Sequence, residues 1–353
     1  MFLNSFKWLF LLCIWLPLRA ACQQNDSIPH YLQLYENAKQ LQDSGKYRES
    51  LPLLKKALKE KPDYWEAHNM MANASLKLGK YKDVFKALDK AEQIAPLNYP
   101  SLKTRGITHF LNNQFSESKK ALDTAAYFAM LDFIEDAELH YYRAQLMFKG
   151  RSYKEALAAC EAALEINPRM WEVIILKAEV RQALKQHKHA VLDLDEAIKV
   201  MPPENTDYRA YKLRAQNKFE LADYQGAVGD WNVYIDAIPG EEEALIARAA
   251  AKINVNDNSG AIADLDEAIK LNGKNPVSWC YRGVAKGGNK SFEAALKDLD
   301  QSLKLKFDYA TAYVNRAAIK MAVRDKQGAC KDLEKADSLG SETAYKLIDR
   351  YCK

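Results

Sequence analysis

The chain has 353 residues, with 51 Lys and Arg against 47 Asp and Glu, a formal net charge of +4. That balance is too weak to mark a nucleic-acid or anionic-membrane binder, and 48% hydrophobic with 28% charged residues excludes a disordered chain or a multi-pass membrane protein. Only 14 Gly and 11 Pro disfavour a turn-rich all-β fold, and 6 Cys are too few for a small disulfide scaffold.

Residues 1–20 read as a secretory signal peptide. Lys7 is the one charge ahead of an apolar run over 8–18, Pro17 closes that run, and Ala20 and Ala21 follow. The run is too short for a bilayer core, which needs about 20 residues. Two processing routes fit. Cleavage after Ala20 releases a soluble exported protein. Alternatively, Ala20-Ala21-Cys22 resembles the end of a bacterial lipoprotein signal, with Cys22 as the lipidation site and residues 21–30 as a tether; Arg19 departs from that motif, which has a bulky apolar residue there. Either route places the chain in the periplasm or at the outer membrane, where disulfides are permitted. No later stretch reaches the length of an apolar span.

From Tyr31 the sequence repeats. Windows of 34 residues begin at Tyr31, Trp65, Tyr99, Ala137, Trp171, Tyr208, Glu242, Pro276 and Ala310, with insertions at 133–136 and 205–207. Positions 8, 20 and 27 of the window are almost always small, as in Ala38, Ser50 and Ala57 or Ala249, Ala261 and Ala268. A breaker such as Gly45 or Gly79 sits between the first two, an aromatic such as Tyr47 or Tyr81 follows it, and proline closes several windows (Pro62, Pro96, Pro168, Pro202, Pro239). Each half-window has apolar residues at helical spacing, so each window predicts two antiparallel helices joined by a tight turn. Small residues let the helices approach closely, and proline ends the second helix. One hairpin cannot bury its apolar face, but a stack of them can.

This pattern resembles the tetratricopeptide repeat family over residues 31–343. The resemblance implies an all-α fold: a right-handed α-α superhelix, or solenoid, of about nine helix hairpins. Residues 344–353 complete a C-terminal capping helix that starts at Ser341, a good N-cap. The third repeat departs from the pattern, with Met130 where proline is usual, and its second helix is expected to be longer.

A second period lies in the charges. Position 7 is basic and position 23 is Asp in five successive repeats: Lys177 with Asp193, Arg214 with Asp230, Arg248 with Asp264, Arg282 with Asp298, and Arg316 with Asp332. The hairpin turn lies near position 15, midway between them, so both groups sit at one level on facing helices. Salt bridges within a repeat or to its neighbour are expected, as a structural ladder that sets register. Repeats 1 to 4 lack the pairs, although Arg105 occupies position 7 of repeat 3.

Nothing assembles a catalytic site. His68, His109 and His140 fall at core-facing window positions. His187-Lys188-His189 sits at an inter-helix turn without partners at zinc-ligand spacing, so no metal and no cofactor is expected. Cys160 and Cys280 read as small core residues. Cys330 and Cys352 lie where a disulfide would staple the cap to the last repeat.

In the resembled family the first helices line the concave surface, and ligands are met mostly by window positions 2, 5, 6, 9, 12 and 13. In repeats 1 to 4 these carry over to Tyr35, Glu36, Lys39, Asn69, Met70, Asn73, Lys103, Thr104, Tyr141, Tyr142 and Gln145, a polar and aromatic mixture suited to an extended peptide or partner helix. In repeats 5 to 9 they include Ile175, Leu176, Leu213, Ile246, Ile253, Tyr281, Val284, Val314 and Met321, largely apolar. Family members that grip a chaperone's C-terminal carboxylate need a charged or amide residue where Thr104 stands, which argues against that specialisation. The expectation is a non-enzymatic protein-interaction scaffold of the bacterial envelope. The alternative is a chaperone-like holder of unfolded exported clients.

Overall fold

The computed structural model describes residues 28–352. The expected signal peptide and Cys22 lie outside these residues. The described chain holds nineteen α-helices, one 3-10 turn (Pro203–Asn205) and no strand. In chain order the helices are α1 (His30–Asp43) and α2 (Tyr47–Glu60), α3 (Trp65–Lys77) and α4 (Tyr81–Ile94), α5 (Tyr99–Leu111) and α6 (Phe115–Leu131), α7 (Ala137–Lys149) and α8 (Tyr153–Ile166), α9 (Trp171–Ala183) and α10 (His187–Val200), α11 (Arg209–Glu220) and α12 (Tyr224–Ala237), α13 (Glu242–Asn254) and α14 (Asn258–Leu271), α15 (Pro276–Gly288) and α16 (Phe292–Leu305), α17 (Ala310–Ala322) and α18 (Lys326–Ser338), and last α19 (Glu342–Tyr351). They fall into two compact units, one ending at Thr108 and the other beginning at His109, so the boundary lies inside α5.

Every turn between the two helices of a window is made the same way. Position 15 takes a left-handed backbone: Gly45 and Gly79 first, then Asn113, Arg151, Lys185, Ala222, Asn256, Lys290 and Arg324, whose φ lies between 58° and 66°. The next amide reaches back to the carbonyl five residues earlier, as from Lys46 to Leu41 (2.8 Å) and from Gln186 to Arg181 (2.8 Å), which closes the end of the first helix. Only two of the nine turns use glycine, so the breaker read from the sequence is a backbone conformation rather than a residue type. Aspartate then caps three of the second helices: Asp223, Asp257 and Asp325 accept from the amides of Gly226, Gly260 and Gly328.

In the first unit α1 packs on α2, α3 on α4, and α2 on α3. In the second unit each second helix packs on the first helix of the next window, from α6 on α7 to α16 on α17, and α18 packs on α19. The small residues sit where the helices cross: Ala38, Ala72, Ala144, Ala215 and Ala249 are fully buried. At Gly283 a Cβ would lie 2.8 Å from Leu299 Cγ, so not even alanine fits without movement. Position 24 supplies the bulk, through Leu54, Leu88, Leu122, Cys160, Leu194, Trp231, Leu265, Leu299 and Leu333, all buried. Each such leucine is worth about 1.5–3 kcal/mol of transfer free energy. In the sixth repeat Trp231 replaces the leucine, and it meets Tyr234 edge-on with ring centroids 5.8 Å apart.

α6 has 17 residues where the other second helices of the windows have 13 or 14, so the extra chain of repeat 3 lengthens the helix and its following loop. At the C-terminus, the Ala344 amide donates to Ser341 Oγ (3.2 Å), which caps α19. Ala344, Leu347, Ile348 and Cys352 of this helix pack on α17 and α18, and Cys352 is disulfide-bonded to Cys330. Cys160 and Cys280 are buried free thiols, and burial pushes the Cys160 thiol up to about 12.

Candidate partner-binding site

The ion pairs of the second unit define its register. Arg248 donates from Nε and Nη2 to the two oxygens of Asp264, at 3.0 and 2.7 Å. Arg214 with Asp230, Arg282 with Asp298, and Arg316 with Asp332 have the same bidentate form. A lysine one turn further along the first helix completes each rung: Lys218, Lys252, Lys286 and Lys320 stand 2.7–2.8 Å from the same carboxylates. Repeat 5 inverts the order, with Lys177 at 3.6 Å and Arg181 at 2.7 Å from Asp193. The remaining guanidinium nitrogen stitches to the previous repeat at position 25: Arg214 to Asp195, Arg248 to Asn232, Arg282 to Asp266 and Arg316 to Asp300. The lysines and the position-25 partners were overlooked in the sequence, although both recur at fixed spacing.

These buried carboxylates, already filled, join the two helices of one repeat and are closed to a ligand. The same is true of part of the expected binding surface in the first unit. Asn69 is buried; its amide donates to Asn98 Oδ1 (2.8 Å) and its oxygen accepts from Ser101 Oγ. Asn73 donates to Gln42, whose own amide holds the Met70 carbonyl. Thr104 is buried, and Tyr35 leans on Tyr64 with centroids 5.0 Å apart. Glu36 and Lys39 are exposed, and Lys103 is half-buried.

In the second unit the first helices α7, α9 and α11 lie side by side. They line a groove of about 290 Å³. Tyr141, Gln145 and Phe148 come from α7, Ile175, Leu176, Glu172 and Glu179 from α9, and Arg209 from α11. Burial pushes the Glu179 carboxyl up against the opposing pull of Arg209, and burial with Glu172 nearby raises the Tyr141 phenol. Arg209 is held by Asp207, donating from Nε and Nη2 to Oδ2 at 2.9 and 2.6 Å. Asp207 belongs to the insertion at 205–207, so that insertion fixes a charged wall of the groove. Burial alone would raise the Asp207 carboxyl; hydrogen bonds from Arg209 outweigh it and hold it low. Tyr142 turns aside and packs edge-on against Phe110, 5.5 Å between centroids. Thus Tyr141 and Gln145 join Ile175 and Leu176 in one groove, together with Glu172, Glu179 and Arg209, which fall at the same window positions but were not singled out in the sequence.

His68 contacts the Pro62 carbonyl (3.1 Å) and His109 the Gln114 side chain (2.8 Å), while burial lowers the His140 imidazole. His187, placed by the sequence at an inter-helix turn, is engaged with a neighbouring helix. It opens α10, is half-buried, and its Nδ1 lies 2.9 Å from Oδ1 of the buried Asn217 on α11. Among the described residues no group of His, Cys, Asp and Glu is placed to hold a metal ion, and no helix is long and apolar enough to cross a membrane.

Residues 41–104 and 137–170 each match a tetratricopeptide repeat family model. No curated protein matches the chain by sequence. Among solved structures, YrrB, described as a TPR protein with an unusual peptide-binding site, is 17% identical with a TM-score of 0.50, over 53% of this chain and 94% of that one. PilF of Pseudomonas aeruginosa is 15% identical with a TM-score of 0.54, over 61% of this chain and 95% of that one. At these identities the likeness is one of fold. Residues 41–104 and 137–170 are thus tetratricopeptide repeats, and the same hairpin with its left-handed turn recurs through the other windows of the described chain.

Proposed function

We propose that the chain is a non-enzymatic interaction scaffold of the bacterial cell envelope, binding a peptide or an extended segment of a partner protein in the first-helix groove of α7, α9 and α11. The observation that carries this reading is the groove's make-up. Its floor is apolar, with Phe148, Ile175 and Leu176. Its walls present Glu172, Glu179 and the clamped Arg209 beside the hydroxyl of Tyr141 and the amide of Gln145. An apolar floor with a few oriented polar groups suits one register of a bound segment. Export is supported by the leader-like residues 1–20, with lipidation at Cys22 as the anchored variant. The peptide binding described for YrrB, a protein of this fold, is in keeping with the reading.

The test is a crosslinking pull-down from native envelopes, repeated with Tyr141→Ala and Arg209→Ala. One stoichiometric partner, lost in both variants, supports the scaffold; retention of every partner in both overturns the groove assignment. A chaperone-like holder is the second reading. It is favoured by α13, α15 and α17, whose adjoining first-helix faces carry the half-buried Ile253, Val284 and Met321. Suppression of aggregation of unrelated unfolded clients would support it, and dependence on a single partner would sink it.

A further inference from the structure

Arg143 is the ladder's incomplete rung. It stands at position 7 of the fourth repeat, where Arg214, Arg248, Arg282 and Arg316 stand in theirs. Its place in the series was missed in the sequence because position 23, which should carry the aspartate, is Ala159, and position 11, which should carry the lysine, is Met147. The stitch to the preceding repeat survives in weakened form, with Arg143 Nη2 at 3.5 Å from Asp123 Oδ1. Nε is shut off from water and meets no acceptor among the described residues. Arg105, the other position-7 arginine outside the ladder, recovers a full set of partners from Glu92 and Asp89. In repeat 3 the counterpart of Glu92 is Ala126, so Arg143 has no such recourse.

A buried guanidinium nitrogen without an acceptor is costly and uncommon. The side chain that carries it nevertheless lines open space. Between α6, α7 and the start of α8 lies a groove of about 480 Å³, lined by Arg143, Lys119, Lys149 and Asp123 with Phe115 and Met147. The Arg143 side chain keeps 25% of its surface exposed there. Lys119 is engaged with Asp123 at 2.6 Å, and Lys149 lies over the Phe110 and Phe115 rings at 5.9 and 5.3 Å. Three cations therefore face one carboxylate, beside apolar surface. Along α6, Lys119, Asp123, Tyr127 and Met130 share one face at 100° per residue, and Tyr127 and Met130 are exposed. The groove thus continues into an apolar strip.

We propose that this groove is a binding site for an acidic side chain, Asp or Glu, of a partner segment whose flanking apolar residues lie along α6. The incoming carboxylate does from outside what Asp264 and its counterparts do from within. The four complete rungs show which group a guanidinium at this position holds, and the net positive charge of the groove draws the same group to it. The site is separate from the groove of α7, α9 and α11, whose lining shares only Lys149 with it.

The test uses the full chain and a labelled pentapeptide, Ser-Leu-Asp-Phe-Ser, blocked at both ends. One control replaces its aspartate by asparagine; another carries that asparagine and a free C-terminal carboxylate. The aspartate peptide should bind at least about tenfold more tightly than either control, as expected for a charge-assisted hydrogen bond. Arg143→Gln should abolish the difference. Ala159→Asp should abolish it too, by supplying the carboxylate internally; should that variant not fold, Arg143→Gln carries the test alone. Equal binding of the aspartate and asparagine peptides, equal binding of the free-terminus control, or an undiminished preference in Arg143→Gln overturns the proposal.

Discussion

Asp264 receives Arg248 on both carboxylate oxygens and Lys252 on Oδ2 at 2.8 Å, while only 6% of its side chain is exposed. One buried anion thus holds two cations, both from the first helix of its own repeat. Asp266, two residues on, is 46% exposed and ties the Arg282 guanidinium of the following repeat. Asp264→Ala is expected to cost about 3–5 kcal/mol, because it strands two buried cations. Asp266→Ala should cost less than about 1 kcal/mol, because solvent screens its pair. Urea unfolding of the two variants checks this; equal losses would show that burial does not set the strength of the rungs.

The left-handed turns predict a gain. Ala222 holds φ at 60° and is exposed. Ala222→Gly relieves the clash between Cβ and backbone and should stabilise the second unit by about 1 kcal/mol, despite the more flexible unfolded chain. Gly79→Ala, at the same window position of the first unit, should destabilise by a similar amount. Thermal melts that moved the other way would rule out the backbone assignment at position 15.

Asn69 serves the fold of the first unit. Removing its side chain takes the acceptor from the buried Ser101 hydroxyl and one donor from Asn98. Asn69→Ala should therefore cost about 1–3 kcal/mol, whereas Lys39→Ala, on the exposed surface, should stay within about 0.5 kcal/mol. A melt of Asn69→Ala unchanged from the parent would return that residue to the list of free ligand contacts.

The disulfide closes 22 residues of chain and fixes α19 to α18. Peptide mapping without reductant should recover Cys330 and Cys352 as one linked pair. Cys352→Ser should lower the stability of the C-terminal hairpin and cap by about 3 kcal/mol. Hydrogen exchange is the direct readout, since amides of α19 should lose protection before those of α13. Uniform protection in the variant would mean that the apolar contacts of Leu347 and Ile348 suffice.

Much of this molecule is legible in its spacing. A 34-residue period with small residues at three places specifies helix hairpins, because helical periodicity and close crossing are local demands. The pairing of Arg248 with Asp264 could be read for the same reason: both residues lie equally far from one turn. The position-7 series also holds Arg143, but the repeat pattern hid it, since its partner is missing and an absent carboxylate leaves no signal. Asn69 shows the opposite failure. It sits at a window position that faces ligands elsewhere, yet Asn98 and Ser101 enclose it, and they lie about thirty residues further along the chain.

Periodicity and short-range spacing specify the fold class, the helix hairpins and the Arg–Asp or Lys–Asp rungs of repeats 5 to 9. Packing between helices sets which polar groups are consumed by neighbours and which line open space. It clamped Arg209 to Asp207 at the wall of one groove, and it left Arg143 beside another with its Nε unmatched. The reason is that a period assigns a residue to a helix face, whereas hydrogen bonding depends on ångström distances to groups that other helices bring.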